Sequence, residues 1–516
     1  MLIVSHARMK SLLIVVGVMA AAAPVPAARA QDAPLRGFDA YVEQALRDWR
    51  VPGVAIAVVR NDSVVFVKGY GVRELGKPAR VDAHTLFAIG STTKAFTAAA
   101  LAMLVDSGKL AWDDPVTKHL AWLELADPYV TRELTVRDLL THRSGLPRGD
   151  LVWYGSSFDR SEVLHRVRYL KPRWSFRSNY GYQNIMFLAA GEVVAAASGV
   201  SWGDFLKARI FTPLGMTGTN TSVTALAGEG DVAMPHKKID DTVRVIPWRN
   251  IDNVGPAGSI NSSVADLSQW LRLQLGGGTF RGRRLVSDST VEEMHTPQMV
   301  IRMNKDAREI FPDTHFLAYG LGWLLRDYHG KMFVGHGGAI DGMRAEIGLV
   351  PEARVGAVVL CNLDGTSFPA AILYRALDAY LGAPPRDWSA VLLAAERKAE
   401  AHGDSVDKAF EAKRVRDTHP SLPLERYAGN YVDSLYGTVE IAEQGDRLVA
   451  RMGPAFTGDL THWHFDTFKV TWRDRGLGTS YLTFNVDADG KVGSVEVREV
   501  GEFKRSAPPP TRQAGR

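Results

Sequence analysis

A serine and a lysine three residues apart stand at the start of a strongly helical stretch. The segment STTKAFTAAALAMLVDSG begins at Ser91, carries Lys94 and continues with good helix formers as far as Gly108. Residues at i and i+3 share a helix face, so Lys94 would lie within reach of the Ser91 hydroxyl. A free serine is a poor nucleophile and needs a neighbouring base. The alternative interpretation is that Ser91 is only a helix N-cap, for which serine is favoured.

Two later motifs carry further side chains that could do chemistry. Tyr182 and Asn184 lie two residues apart, directly before a helical run. His336, followed by Gly337 and Gly338, lies on a strand that we predict to be central. Taken alone, Tyr182 is better explained as a packed aromatic residue and His336 as an internally hydrogen-bonded strand histidine.

The elements that must position these residues indicate an α+β fold. Apolar spacing predicts a helix over 35–49, a hairpin around Asn61-Asp62, mostly helical segments over 110–210, a helix over 261–275 with Ser263 as its cap, three antiparallel strands in KMFVGHGGAI, MRAEIGLVP and VGAVVLCN, and a helix over 367–381. We expect the first hairpin and the late strands to share one antiparallel sheet, flanked by helices and a helical subdomain.

The three motifs, in this order and on these elements, resemble those of the penicillin-recognising serine hydrolases. This family includes class C β-lactamases, DD-peptidases, D-aminopeptidases and related esterases. The stretches TVRDLLTHRSGLPRGD, IFTPLGMTGTN and GPAGSINSSVADLSQWL are similar to the family as well, and the resemblance covers roughly residues 36–382. The C-terminal region resembles the lipocalin-like module that often follows such hydrolases.

The resemblance implies an acyl-enzyme mechanism without metal or cofactor. Ser91 is the implied nucleophile and Lys94 its base, since a lysine buried among apolar residues loses proton affinity. Tyr182 would carry a proton between Ser91 and the leaving group, although its ordinary pKa near ~10 suits a base only if cations such as Lys94 lower it. Asn184 would orient Lys94 and the substrate amide. The backbone N–H groups of Ser91 and Ala339 would form the oxyanion hole.

The third motif departs from the lysine found in many penicillin-binding members. His336 is largely neutral at pH 7, so it holds a substrate carboxylate less firmly, and acidification towards pH ~6 is expected to charge it. Gly337 and Gly338 would let the strand backbone approach the substrate closely. Arg344 on the next strand is the alternative carboxylate-binding residue, and the sequence leaves this choice open.

The domain organisation follows from composition. We predict a signal peptide over 1–30 with cleavage after Ala30, a hydrolase domain over 31–385, a helical linker over 386–420, a small β-barrel domain over 421–503 and a disordered tail over 504–516. The charged linker indicates that truncation near residue 390 leaves a soluble catalytic domain. In THWHFDTF, a zinc site at His462, His464 and Asp466 is conceivable, but packing in a small barrel is the preferred interpretation.

Composition excludes several other classes of protein. Removing residues 1–30, which carry three basic and no acidic residues, lowers the formal charge from +4 to +1, so nothing indicates nucleic acid or a charged membrane as partner. Cys361 is the only cysteine, which precludes an internal disulfide.

We therefore expect a periplasmic or secreted enzyme without a membrane span, acting on a small molecule or short peptide. The open alternatives are a peptidase, a β-lactamase-like amidase, an esterase and a catalytically silent sensor. The oligomeric state is not predicted.

Overall fold

The computed structural model describes residues 33–506, so the predicted signal peptide and most of the predicted tail lie outside the described residues. Fourteen strands belong to the N-terminal part: β1 (Gly53–Arg60), β2 (Ser63–Gly71), β3 (Phe87–Ala88), β4 (His236–Ile239), β5 (Thr242–Val245), β6 (Asn261–Ser262), β7 (Thr279–Phe280), β8 (Arg283–Arg284), β9 (Met299–Val300), β10 (Leu317–Tyr319), β11 (Leu324–Tyr328), β12 (Lys331–Ile340), β13 (Met343–Val350) and β14 (Val355–Cys361).

The helices surround and connect these strands. They are α1 (Phe38–Trp49), α2 (Thr93–Asp106), α3 (Pro128–Glu133), α4 (Val136–Leu139), α5 (Arg160–Arg166), α6 (Asn184–Ser198), α7 (Trp202–Leu206), α8 (Thr212–Leu214), α9 (Gly255–Gly258), α10 (Val264–Leu275), α11 (Asp288–Met294), α12 (Lys305–Ile310), α13 (Phe368–Leu381) and α14 (Trp388–Glu411).

The main sheet is antiparallel and has the order β2-β1-β14-β13-β12-β11-β10-β9. The first hairpin therefore lies beside the late strands, as its alternating apolar residues predict. Strand β1 is buried on both faces because α1 and α13 cover one face and α10 packs on the other. The α+β fold class is confirmed.

Helix α2 is the central helix of the helical part of the fold. It is apolar on all sides, and residues 93–104 are all buried. A helix of this composition is stable only when other elements enclose it, and α6, α7, α9 and α11 do so here. This enclosure withdraws the first turn of α2, and with it Lys94, from solvent.

The C-terminal region is a closed barrel, as predicted. Its eight strands are β15 (Gly429–Asp433), β16 (Gly437–Gln444), β17 (Arg447–Met452), β18 (Phe456–His464), β19 (Thr467–Trp472), β20 (Thr479–Val486), β21 (Val492–Val497) and β22 (Gly501–Arg505). Strand β22 extends two residues beyond the predicted boundary at residue 503, since Lys504 and Arg505 pair with β15.

Helix α14 lies within the predicted linker but packs against both parts of the chain. Its start belongs to the catalytic core: Trp388 is buried and donates from Nε1 to Asp378 at 2.6 Å, and Leu392 is buried nearby. Its end belongs to the barrel, where Phe410 stacks on Trp463 at 6.0 Å. A cut at residue 390 would remove Leu392 from the catalytic core, so we predict that a truncation further along α14 is needed to leave a soluble catalytic domain.

Candidate active site

Ser91 lies in a single 3₁₀ turn, Gly90–Thr92, which leads directly into α2. The N-cap position of α2 is Thr92, and no side chain caps the helix there. The alternative in which Ser91 serves only as a cap is therefore wrong. The Ser91 side chain is instead partly exposed in a cavity of about 420 Å³.

Lys94 is wholly buried beneath Ser91, and its ammonium nitrogen has three close oxygens. Nζ lies 3.0 Å from Ser91 Oγ, 2.8 Å from Asn184 Oδ1 and 2.9 Å from the carbonyl oxygen of Ala257. A neutral amine has two N–H donors and one lone pair. Donation to the two carbonyl oxygens, which cannot themselves donate, directs the lone pair towards the Ser91 hydroxyl.

The protonation of Lys94 follows from its burial. Desolvation lowers the pKa of Lys94 well below its ordinary value of 10.5, the Asp150 carboxylate opposes this shift, and the Arg148 guanidinium adds to it. The side chain is thus a better proton acceptor in the folded protein than in water at pH values below 10.5.

Tyr182 lies against the same pair. Its ring centroid is 4.7 Å from Lys94 Nζ, and its hydroxyl hydrogen-bonds Ser91. Burial raises the pKa of Tyr182 above its ordinary value, which the Ser91 hydrogen bond and Arg148 only partly oppose. The expected lowering by nearby cations is therefore corrected. Tyr182 is a neutral phenol that can pass on a proton, while Lys94 has the character of the base.

Asn184 is the first residue of α6, and its amide is held from the other side by Asp150, whose role the sequence did not predict. Asn184 Nδ2 donates to Asp150 Oδ1 at 3.1 Å. The same carboxylate accepts from Trp153 Nε1 at 2.9 Å and from Arg148 Nε at 2.5 Å. The stretch that ends at Asp150 resembled the family, but a loop without periodicity does not predict where its side chains point.

Strand β12 brings its glycines against the Ser91 turn. Strand β11 pairs with β12 only as far as Gly335, so residues 336–340 have β13 along one edge and the cavity along the other. A Cβ on Gly338 would collide with the carbonyl oxygen of Ile89, and one on Gly90 would lie 2.5 Å from the Ala339 nitrogen. Only glycine permits this approach.

His336 points towards the helical region but carries no charge. Its Nε2 lies 2.8 Å from the Tyr319 hydroxyl and its Nδ1 lies 2.6 Å from the carbonyl oxygen of Gly337. Burial, together with the nearby Lys94, lowers the pKa of His336 to about 3. The expectation that His336 becomes charged near pH 6 is therefore corrected.

The structure brings all the sequence-predicted site residues together. Lys94 lies behind the cavity, and the remaining seven line it: Ser91, Tyr182, Asn184, His336, Gly337, Gly338 and Ala339. Residues that sequence reasoning did not place there also line it, among them Arg148, Trp153 and Glu346.

The residues considered for zinc make other contacts. His462 Nε2 lies 2.9 Å from the Phe465 carbonyl oxygen, His464 Nδ1 accepts from the Val415 nitrogen at 3.2 Å, and Asp466 accepts from Ser421. Across residues 33–506, no group of three or more His, Cys, Asp or Glu side chains is placed to hold a metal ion.

Within residues 33–506, no single helix is long and apolar enough to cross a membrane. Helix α6 and the run Trp202–Leu214 meet the length and composition criteria only as a pair, with a bend of 73° between them.

Comparison with known proteins agrees with this geometry. The family model described as beta-lactamase matches residues 38–381, and one described as a domain of unknown function (DUF3471) matches residues 413–507. Unguisins hydrolase ungD of Aspergillus violaceofuscus is 31% identical over 79% of this chain and 76% of its own length. Protein flp of Staphylococcus aureus is 25% identical over 65% of this chain and 64% of its own length.

Solved structures share the fold. The octameric penicillin-binding protein homologue from Pyrococcus abyssi has a TM-score of 0.60 and 25% identity, covering 91% of this chain and 99% of its own. The D-amino acid amidase from Ochrobactrum anthropi SV3 has a TM-score of 0.54 and 24% identity, covering 67% of this chain and 97% of its own. With the family model spanning two thirds of the sequence, this protein belongs to the beta-lactamase family of penicillin-recognising serine hydrolases.

Proposed function

We propose that this protein is a serine amidase that cleaves short peptides, including those with D-residues, through an acyl-enzyme on Ser91. The observation that carries the proposal is the wholly buried Lys94, whose Nζ is held by two carbonyl oxygens and lies 3.0 Å from Ser91 Oγ. The N-terminal sequence supports the further proposal that the enzyme acts after export, in the periplasm or outside the cell.

Acylation follows from the positions of these groups. Neutral Lys94 takes the Ser91 hydroxyl proton as Oγ bonds to the substrate carbonyl carbon, and the carbonyl oxygen gains the negative charge. The backbone N–H groups of Ser91 and Ala339 are the proposed donors to that oxygen. The Tyr182 hydroxyl, hydrogen-bonded to Ser91, relays the proton to the leaving nitrogen, whose bond to carbon then breaks.

Deacylation reverses these roles. After the amine has left, Lys94 is again neutral. A water molecule takes the place of the amine and attacks the acyl carbon, and it gives up a proton to Lys94. The bond from carbon to Ser91 Oγ breaks, and the oxygen regains its proton. Asn184 keeps Lys94 oriented throughout, because Asp150 fixes its amide from the other side.

Amides are favoured over the alternatives because a structure of the same fold is named a D-amino acid amidase, and a relative that covers most of both chains is named a hydrolase. Hydrolysis of β-lactams by the route of members with lysine in the third motif is disfavoured, because the buried, neutral His336 cannot supply a cation at that position. The intact Ser91, Lys94 and Tyr182 argue against a silent sensor, which need not retain all three.

A substrate panel tests the proposal. We would measure kcat/KM for D- and L-alanine amides, N-acetylated D- and L-dipeptides, p-nitrophenyl butyrate and nitrocefin, together with the intact mass of the protein after rapid quenching. We expect amide turnover, faster for the D-compounds, with a transient adduct of the acyl mass. Ester turnover without amide turnover would make it an esterase, and a stable adduct without turnover would make it a sensor.

A further inference from the structure

The active-site cavity continues beyond the catalytic residues to a second polar wall on β13. Arg344 and Glu346 alternate on one face of this strand, opposite Ala339 and Gly337 of β12, and both line the cavity that contains Ser91. Thr366, just before α13, also lines the cavity. The proposed mechanism uses neither Arg344 nor Glu346.

Arg344 is the available cation of the cavity. Its Nε forms a long ion pair with Asp364 at 3.8 Å, beyond hydrogen-bond distance, and among residues 33–506 this buried Nε has no hydrogen-bond partner. Arg148, the other arginine of the cavity, is already bound to Asp150. His336 cannot serve because it is buried, neutral and engaged at both ring nitrogens.

Gly337 keeps the passage to this wall open. A Cβ at that position would lie 2.9 Å from Glu346 Oε2. The carboxyl group of Glu346 therefore faces the backbone of β12. A substrate group that crosses β12 over Gly337 meets Glu346 and Arg344 together.

Glu346 carries less negative charge at this place than an exposed carboxylate. Burial raises its pKa to about 7, opposed by the guanidinium groups of Arg326 and Arg344. Below this pH the protonated carboxyl can donate its O–H to a carboxylate, while Arg344 supplies the positive charge.

We propose that Arg344 is the specificity-determining residue that binds a carboxylate of the substrate, with Glu346 as its partner, in place of the third-motif histidine. The proposal rests on the proposed amidase function and adds the substrate class, an amide bearing a free carboxylate near the scissile bond. An arginine guanidinium suits this role because its planar donors match a carboxylate.

A matched pair of substrates tests it. We would compare N-acetyl-D-alanyl-D-alanine with its C-terminal carboxamide on the wild type, Arg344→Met, Arg344→Lys and Glu346→Gln. We expect Arg344→Met to raise KM for the acid about tenfold or more while changing the carboxamide less than about twofold, with Arg344→Lys between them. Lys331→Met, which removes an exposed cation at the far end of β12, is the control for net charge.

A binding measurement separates this proposal from the proposed reaction. In the Ser91→Ala background, calorimetry should show weaker binding of the acid, but not of the carboxamide, when Arg344→Met is added. Equal losses for both compounds would overturn the proposal even if amides are cleaved. The proposal would also be overturned if the enzyme preferred substrates with a free amine and this preference depended on Glu346 but not on Arg344. Glu346 would then bind the ammonium group of the substrate.

A second, independent observation concerns the barrel, which contacts the active-site loop formed by residues 148–154. The Tyr154 hydroxyl donates to the Asp341 carboxylate at 2.7 Å, Arg249 Nε donates to the same group at 2.9 Å, and Arg249 Nη2 reaches Asp474 of the barrel at 3.3 Å. The Tyr154 ring also lies 6.2 Å from that of Phe456 on β18.

This network reaches the catalytic lysine in a few steps. Tyr154 follows Trp153, whose Nε1 binds Asp150, and Asp150 binds Asn184, which binds Lys94. Asp341 directly follows β12, the strand of the proposed oxyanion donor. We infer that the barrel is a positioning domain that holds the loop around Asp150 and the end of β12 in place, with Arg249 as the connecting residue.

Removing the connection tests this inference in the full-length protein. Arg249→Met and Asp474→Asn should each lower kcat several-fold, and Arg473→Met, which breaks an exposed barrel ion pair with Asp459, should not. Because Asp150 raises the pKa of Lys94, loss of its position should also move the acid limb of the kcat/KM profile to lower pH. Unchanged kcat and an unmoved acid limb in both variants would overturn it.

Discussion

Replacing Ser91 with alanine should abolish turnover of every substrate while the protein stays folded. The loss should be at least about 10⁴-fold in kcat, because no other hydroxyl occupies the position 3.0 Å from Lys94 Nζ. The cost in stability should stay within about 1 kcal/mol, since Ser91 caps no helix and its side chain is partly exposed. Initial rates, circular dichroism and urea unfolding measure these quantities.

Ser107→Ala is the matched control for this result. Ser107 closes the other end of α2 and donates to the carbonyl oxygen of Leu104 at 3.1 Å, far along the helix from the cavity. It should retain full activity. A folded Ser91→Ala protein with more than a small residual rate would show that another residue is the nucleophile.

Replacing Lys94 with methionine should lower kcat/KM by at least about 10³-fold, because the base is lost while the serine remains. Lys94→Arg should be as inactive, since a guanidinium keeps its proton and cannot act as a base. In the wild type, kcat/KM should fall as the pH is lowered through the pKa of Lys94, which burial places well below 10.5. An active Lys94→Met protein would remove Lys94 from the mechanism.

Lys94→Met should also change how the free energy of unfolding depends on pH. Between the lowered pKa of Lys94 in the folded protein and its ordinary value of 10.5, the unfolded chain binds more protons than the folded one, so wild-type stability rises with pH. Methionine removes this dependence. The free energy of unfolding of the variant, relative to wild type, should therefore decline from pH 7 to pH 9.5 in denaturant titrations. A constant difference would mean that Lys94 stays charged when buried.

The repeating patterns of the sequence were enough to predict the main elements. The all-apolar run after Lys94 could form a stable helix only when enclosed, and the alternating strands from residue 331 to 361 could pair only with their neighbours. The barrel followed from its short alternating strands, because a small sheet avoids open edges by closing. Ser91 and Lys94 were predicted as a pair because helix geometry fixes residues three apart on one face.

What the tertiary structure added came from residues far apart in the chain. Asn184 and the carbonyl group of Ala257, 90 and 163 residues after Lys94, fix its lone pair, and Asp150 orients Asn184 from a loop without periodicity. The neutrality of His336 depends on burial beside Lys94, which its own strand does not indicate.

The direction in which Arg344 points and the contact between the barrel and the active-site loop were also decided only by the tertiary structure. Helices and strands follow from local periodicity, so the sequence by itself determined the main helices, five of the eight strands of the main sheet and the Ser91–Lys94 pair, but not the short strands β9 to β11. Charge, protonation and the shape of the cavity depend on which distant groups exclude water from each side chain, and only the folded chain brings those groups together.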